Sequence, residues 1–128
     1  MDLSVDIEAR DEVLCGRLAG ALSLAAVETA GRAVMEAAAS RGLARVLWDC
    51  TAVHGDWTRA HRIALGIFLA EQQRIAAPRL AQPPRVAVWV APALMDPERP
   101  TESAANSRGG RVRASVDLGE LMRWLNAR

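Results

Sequence analysis

The amino-acid sequence predicts an α/β fold: a mixed, mostly parallel sheet of about five strands, opened by an antiparallel hairpin, with about four helices. Two strand-like segments begin the chain, and from residue 24 onward helical and strand patterns alternate, which favours parallel strands joined by right-handed crossovers. A continuous apolar run over residues 86–91 is typical of a strand covered on both faces. With 128 residues and 51% hydrophobic content, the chain is expected to form a single domain over residues 1–128.

The opening hairpin is indicated by the alternation of side chains. Over residues 3–8 apolar and polar residues alternate, as in an edge strand with one face in water. An acidic pair at residues 11–12 forms the turn, and residues 13–19 return as the second strand. Gly16 and Gly20 in that strand indicate a close backbone approach or a bulge.

Two long helices flank the next strand. Apolar residues recur at helical spacing over residues 24–41, with Ser23 placed to cap the start of this helix and Gly42 to end it. Residues 46–48 are predicted to form a buried parallel strand, and a second helix is predicted over residues 58–76. Apolar side chains spread over roughly two thirds of the circumference of this second helix, which is more than one sheet can cover.

The remainder of the chain completes the alternation of strands and helices. Prolines end the second helix, and the apolar run at residues 86–91 is predicted to be the central strand. A short helix from about residue 101 ends at a glycine pair and is followed by a weak strand over residues 112–116. Asp117 and Glu120 have the spacing of a capping box, which predicts the start of a final helix.

Charge and composition exclude several classes of function. The formal net charge is +1, so no overall field attracts nucleic acid or an anionic membrane. No run approaches the ~18 apolar residues that a transmembrane helix needs, and the first residues lack the pattern of a signal peptide, so a cytoplasmic protein is expected. Cys15 and Cys50 fall in predicted strands, where free cysteine behaves as a small hydrophobic residue, and no disulfide framework is indicated.

The densest group of chemically able side chains lies just before and at the start of the second helix: Asp49, Cys50, His54, Asp56 and His61. Loops at the carboxyl ends of parallel strands are where ligands usually dock. Either histidine could act as a general base, but no Ser, Lys or Gly-rich loop completes a catalytic set. The spacing also differs from that of zinc sites. We therefore expect no catalytic residue, no metal and no cofactor.

Four segments resemble the STAS domain, the fold of bacterial anti-anti-sigma factors, and more closely its SpoIIAA-like branch. They are GRLAG in the hairpin, the strands ARVLWDCTAV and PRVAVWVA, and the closing segment GGRVRASVDLGELMRWL. Their order and spacing carry the resemblance, since none is specific alone. The resemblance implies a regulatory module that binds another protein.

The same resemblance bears on phosphorylation. Anti-anti-sigma proteins carry a phosphorylatable Ser or Thr in a small Asp-Ser-Ser-Gly-like motif where the helix after the acid-ended strand begins. Here that position contains Asp56, Trp57, Thr58 and Arg59, so Thr58 is the candidate phosphorylation site. Trp57 and Arg59 replace the small residues of that motif. The alternative is that Thr58 or Asp56 simply caps the helix.

Two loops at the expected carboxyl edge of the sheet carry charges of both signs. One contributes Asp56, Arg59 and Arg62, and the other contributes Asp96 and nearby charged residues. This mixture favours a protein contact over a phosphate site, which needs glycines or clustered cations. Separately, Arg108, Arg111 and Arg113 lie close together in the sequence near the last strand, where an anion could bind, but a solvated face with weakly paired charges is the favoured interpretation.

The broad apolar surface of the second helix has three explanations. The Pro-rich segment and the neighbouring short helix cover it, or Leu65 and Leu69 line a homodimer interface, or a groove under the helix admits an apolar ligand such as a fatty acid or phospholipid.

These observations lead to a non-catalytic STAS-like module that binds a protein partner, with an apolar-ligand carrier or a Thr58 phosphorylation switch as the alternatives. Neither nucleic acid nor a transmembrane segment is expected. The predicted contact residues are Asp49, His54, Asp56, Trp57, Thr58, Arg59, Arg62, Leu65, Leu69 and Asp96.

Overall fold

The computed structural model describes residues 2–127 and contains a five-stranded sheet. The strands are β1 (Ser4–Arg10), β2 (Val13–Ala21), β3 (Arg45–His54), β4 (Arg85–Val90) and β5 (Val112–Ser115), and they lie side by side in chain order. β1 and β2 are antiparallel, whereas every later pair is parallel. The helices are α1 (Leu24–Arg41), α2 (Arg59–Ala76), α3 (Pro100–Asn106) and α4 (Leu118–Asn126). The predicted fold class is therefore confirmed.

Local signals set several boundaries as expected. The Ser23 side chain accepts the Ala26 amide at the start of α1, and Gly42 ends this helix in the left-handed conformation. β1 lies at an edge of the sheet, as its alternating pattern predicts. β4 is an interior strand covered on both faces, but β3 and not β4 occupies the middle of the sheet.

The two faces of the sheet are covered unequally. α1 and α2 cover one face, where the main core contains Leu14, Val46, Trp48 and Val86. On the opposite face α4 packs Leu121 and Leu125 on a smaller cluster with Val13, Leu47 and Ala87. Successive residues of β3 thus point alternately into the two clusters.

Glycines allow two close approaches in the β1–β2 half of the sheet. A Cβ at Gly16 would lie 2.5 Å from a methyl carbon of Val34, so α1 packs directly on the β2 backbone. Gly20 has a φ of +120° beyond a register shift between Arg17 and Ala19. Of the two alternatives predicted from these glycines, the close approach is confirmed at Gly16, and the register shift lies between Arg17 and Ala19.

The broad apolar surface of α2 is covered mostly within the chain. α2 packs against α1 on one side and against α3 on the other. Leu69 is fully buried, whereas Ile67 is 37% exposed and Ile75 is 57% exposed. Coverage by neighbouring segments therefore explains most of this surface, and Leu69 is not available for a homodimer or ligand contact.

Side chains of α3 and of Arg99, which immediately precedes it, form hydrogen bonds with the outer edge of β5, where no further strand of the described residues pairs. The Val112 amide donates to Asn106 Oδ1 (2.9 Å), and the Val112 carbonyl accepts from Asn106 Nδ2 (3.2 Å). Further along, the Ala114 amide donates to the Glu102 carboxylate and the Ala114 carbonyl accepts from Arg99 Nη1 (2.9 Å). Unpaired strand edges invite association with other chains, so α3 closes this edge of the sheet.

The capping box predicted for α4 forms only in part. The Asp117 side chain accepts the Glu120 amide, as expected. The Glu120 carboxylate instead accepts from Arg113 Nη2 (2.6 Å) and from Ser115 Oγ (3.0 Å) on β5. The hydrogen bond with Arg113 lowers the pKa of Glu120 below its ordinary value. The Glu120 side chain therefore binds these β5 side chains instead of completing the capping box.

Across residues 2–127, no helix combines the length and apolar character that crossing a membrane demands.

Candidate functional site at the carboxyl edge of the sheet

An apolar cavity of about 80 Å³ lies beneath the first half of α2, near the carboxyl ends of the parallel strands. Its floor is formed by Trp48 and Cys50 of β3 and by Val88 of β4. Leu65 of α2 and Leu94 of the loop after β4 form its walls. The cavity therefore lies where open α/β sheets usually bind their ligands.

Trp57 covers part of the cavity. Its half-buried ring lies at the start of α2, lines the cavity and packs against the main core. The ring of His61 lies 5.3 Å from it, centroid to centroid, at an angle of 50°. Trp57 therefore has a packing role.

Ion pairs join the two predicted loops. Arg62 Nη1 donates to the Leu94 carbonyl (2.7 Å), and Arg62 Nε lies 3.8 Å from Asp96 Oδ2. Further out, Arg59 Nη1 lies 2.7 Å from Glu98 Oε2. The Arg62 pair is largely shielded from solvent and the Arg59 pair is exposed. The mixed-charge surface expected from the sequence is thus one continuous surface, which we call the carboxyl-edge surface (residues 54–62 and 91–99).

One buried polar group at the cavity has no partner. Trp48 is 0% exposed, and its indole Nε1–H finds no hydrogen-bond acceptor anywhere in the described chain. A buried donor without an acceptor costs on the order of 1–3 kcal/mol. Trp48 was not among the predicted contact residues, because an apolar strand sequence does not reveal which side chain borders a cavity.

The structure brings together only some of the predicted contact residues. Trp57, Arg62, Leu65 and Asp96 line the cavity. Exposed side chains at the carboxyl edge are those of His54, Asp56, Thr58 and Arg59.

Two of the predicted contact residues lie elsewhere. The Asp49 carboxylate accepts from Thr51 N (3.0 Å) and Thr51 Oγ1 (2.6 Å). Since Trp48 and Cys50 belong to the main core, the Asp49 side chain lies on the opposite face of the sheet. Leu69, as described above, is inside the core. Neither residue is part of the carboxyl-edge surface.

The arrangement does not support cysteine or metal chemistry at this site. Burial, followed by the negative charge of Asp49, raises the pKa of the Cys50 thiol to about 12, so the thiolate is scarce at neutral pH. His61 Nδ1 accepts the Thr58 amide (3.3 Å) and is engaged in capping the helix. Within residues 2–127, no cluster of three or more His, Cys, Asp or Glu side chains is arranged to hold a metal ion.

The arginines near β5 do not share one anion site, and two of them have partners within the chain, in agreement with the interpretation of a paired, solvated face. Arg113 Nη2 pairs with Glu120, and Arg108 Nη1 donates to the Ala104 carbonyl (3.1 Å) at the end of α3. Arg111 lies in a different groove with Arg45 and Arg85.

Thr58 is the N-cap of α2. Its Oγ1 accepts the His61 amide (3.1 Å), and the His61 side chain accepts the Thr58 amide in return. The expectation that Thr58 or Asp56 caps this helix is confirmed for Thr58.

Removing this cap is expected to destabilise the protein modestly. Thr58→Ala should lower the free energy of unfolding by about 1 kcal/mol, because the first-turn amide loses its acceptor. Thr58→Ser keeps the hydroxyl and should unfold close to wild type. Urea denaturation of the three proteins measures the difference. Equal midpoints for wild type and Thr58→Ala would show that the hydroxyl does not hold the start of α2.

No protein-family model and no curated protein sequence matches the chain. Solved structures do match its fold. An anti-sigma factor antagonist from Mycobacterium paratuberculosis superposes with a TM-score of 0.58 at 14% identity, covering 98% of this chain and 96% of that chain. An uncharacterised protein with a SpoIIAA-like fold from Shewanella loihica gives a TM-score of 0.51 at 18% identity, covering 97% and 94%. The chain therefore has the SpoIIAA-like fold that its sequence predicts.

Proposed function

We propose that this chain is a single non-catalytic, SpoIIAA-like regulatory module that binds a protein partner through the carboxyl-edge surface. The proposal rests on the ion pairs that join the start of α2 to the loop after β4. Arg62 pairs with Asp96, and Arg59 pairs with Glu98. The two segments thus present one surface. The structural likeness to an anti-sigma factor antagonist supports an anti-sigma factor as the class of partner.

The chemistry of this surface suits recognition of a protein. Interfaces are enriched in aromatic and arginine side chains, and half-buried Trp57 lies between exposed charges here. Charges of both signs fix the orientation of a partner and accelerate its association. Exposed Asp56 and the Arg59–Glu98 pair provide such charges on the surface.

A charge reversal on the surface tests the proposal. Arg59→Glu should weaken binding of the anti-sigma factor from the native host at least about tenfold, since like charges across an interface cost several kcal/mol. Arg74→Glu is the matched control, because Arg74 is also exposed on α2 but lies near its other end. Circular dichroism must show that both variants are folded.

Three results would contradict the proposal. The first is equal binding by Arg59→Glu and Arg74→Glu, and the second is the absence of binding by wild type. The third is substrate turnover by the purified protein that His54→Ala or Asp56→Asn abolishes, because that would make the chain an enzyme.

The cavity favours a second function, the carriage or sensing of an apolar ligand. Trp48 borders this cavity and carries an unpartnered indole donor, and the lining is mostly apolar apart from charged side chains such as Arg62 and Asp96, so the favoured ligand has an apolar body and one hydrogen-bond acceptor. A cavity of roughly 150 Å³ holds benzene, so the 80 Å³ here admits only a small group. A fatty acid or phospholipid would need Trp57 and the loop after β4 to move.

Native mass spectrometry and the indole N–H signals in nuclear magnetic resonance spectra test this second function. A bound ligand should appear as an added mass and shift the Trp48 signal, which is assigned by its loss in Trp48→Phe. Two observations together would exclude this second function. The mass spectrum of the purified protein would show no added mass, and the Trp48 signal would not change when fatty acid is added.

Phosphorylation of Thr58 would make the same surface switchable. The Thr58 side chain is exposed at the N-terminus of α2, where the negative charge of a phosphate is favourable, and Arg59 follows it. Phosphoproteomics of the native host should find Thr58 modified. Repeated coverage of the peptide without modification would count against the switch.

A further inference from the structure

Three arginines lie side by side at the amino edge of the sheet, opposite the carboxyl-edge surface. Arg45 and Arg85 are the first residues of β3 and β4 and are direct partners in the strand register. Arg111 immediately precedes β5, and the pairing of Val86 with Val112 places it level with Arg85. We call Arg45, Arg85 and Arg111 the arginine triad.

The triad occupies one face of the sheet. The residues that follow its members, Val46, Val86 and Val112, all point into the main core. Because side chains alternate along a strand, the three arginines lie on the face that α4 covers. They line a groove of about 400 Å³ together with Gln82 and Ala127.

No carboxylate neutralises this cluster in residues 2–127, since none of the described ion pairs includes a member of the triad. Neutral groups at the end of α4 orient two of the arginines. Arg85 Nη1 donates to the Trp124 (2.8 Å) and Ala127 (2.6 Å) carbonyls, and Arg45 Nη1 donates to Asn126 Oδ1 (3.1 Å).

Like charges on neighbouring strands repel each other. Burial, followed by the positive charges of Arg111 and Arg45, lowers the pKa of Arg85 below its ordinary value. Each guanidinium carries five N–H donors, and the bonds to α4 engage only Nη1 of Arg85 and Nη1 of Arg45. Donors of both arginines therefore remain for a further acceptor.

The geometry points to a binding site for a small multivalent oxyanion of the phosphate type, held by Arg45, Arg85 and Arg111 at the amino edge of the sheet. Guanidinium groups bind phosphate oxygens in pairs, with charge-assisted hydrogen bonds. Three adjacent positive charges favour a multivalent anion over a single carboxylate. The site is separate from the carboxyl-edge surface and does not depend on the function proposed there.

Isothermal titration with inorganic phosphate and with pyrophosphate, at an ionic strength fixed by sodium chloride, tests the site. Wild type should bind at least one of them saturably, with one anion per chain. Arg111→Gln should weaken that binding at least about tenfold, the loss expected for a charge-assisted hydrogen bond. Arg123→Gln removes the same charge from exposed Arg123 on α4 and should bind like wild type.

The relative affinities identify the form of the anion. Tighter binding of pyrophosphate assigns the site to a diphosphate group, and tighter binding of phosphate assigns it to a single phosphoryl group. Absence of saturable binding to wild type, or equal affinities for Arg111→Gln and Arg123→Gln, would overturn the proposal.

A stability measurement separates binding from a structural role. Without phosphate and at low salt, Arg111→Gln should be at least as resistant to urea as wild type, because it removes a repelled charge. A lower urea midpoint for Arg111→Gln under these conditions would show that Arg111 supports the fold, and this would overturn the proposal as well.

Discussion

Replacing Leu69 with alanine is expected to lower the free energy of unfolding by about 2–5 kcal/mol. Leu69 is 0% exposed and belongs to the main core between α2 and the sheet. Its truncation removes apolar contacts and leaves a cavity that close-packed neighbours fill only in part.

Ile75→Ala on the same helix is the control. Ile75 is 57% exposed, so its truncation should change stability by no more than about 0.5 kcal/mol. Urea denaturation at two protein concentrations measures both variants. A loss below about 1 kcal/mol for Leu69→Ala would contradict this expectation, and an unfolding midpoint that depends on protein concentration would show that the chain associates.

Local signals explain why the helix bounds could be predicted closely, whereas β3, predicted over residues 46–48, extends over Arg45–His54. The capping side chain of Ser23 and the left-handed conformation at Gly42 depend on residues adjacent in the chain, and both bounds of α1 were predicted from them. The same holds for Thr58 at the start of α2. Periodicity identified the strands, since burial on one or both faces leaves a direct trace in the sequence.

It was harder to predict which side chains on different strands lie next to each other, because this depends on the register of the strands. Asp49 follows Trp48 in the sequence but lies on the other face of the sheet. The arginine triad combines residues from three separate segments, while sequence proximity had grouped Arg111 with Arg108 and Arg113. Proximity in the chain is a poor guide to proximity across a parallel sheet.

The coverage of α2 also depended on distant residues. The Pro-rich segment and the neighbouring short helix were expected to cover its apolar circumference, with a dimer interface or an apolar ligand as the alternatives. α3 does so, in a stretch of only seven residues that also holds the edge of β5. The contact requires a glycine in α2 at the point of closest approach.

That glycine, Gly66, predicts the second large effect: Gly66→Ala should destabilise the protein by about 1–3 kcal/mol. A Cβ at this position would collide with the backbone carbonyl of Thr101 and lie 2.8 Å from the Ala104 Cβ. The backbone carbonyl cannot rotate away, so α3 must shift as a whole. This cost should exceed the gain of up to about 1 kcal/mol that alanine brings to a helix.

Gly119→Ala in α4 is the control, because no loss of stability is expected there. There a Cβ would meet only the ends of the Asp117 and Arg123 side chains, at 3.2 and 3.3 Å, so a shift of a few tenths of an ångström, small enough for Asp117 to keep capping α4, relieves the contact. Gly119→Ala should therefore leave stability unchanged or raise it by about 0.5–1 kcal/mol.

Hydrogen exchange adds a local measurement, because a displaced α3 no longer holds the Ala114 amide through Glu102. We expect this amide to exchange faster in Gly66→Ala but not in Gly119→Ala. Unchanged exchange and unchanged stability in both variants would show that α2 and α3 can move apart without loss of folding free energy.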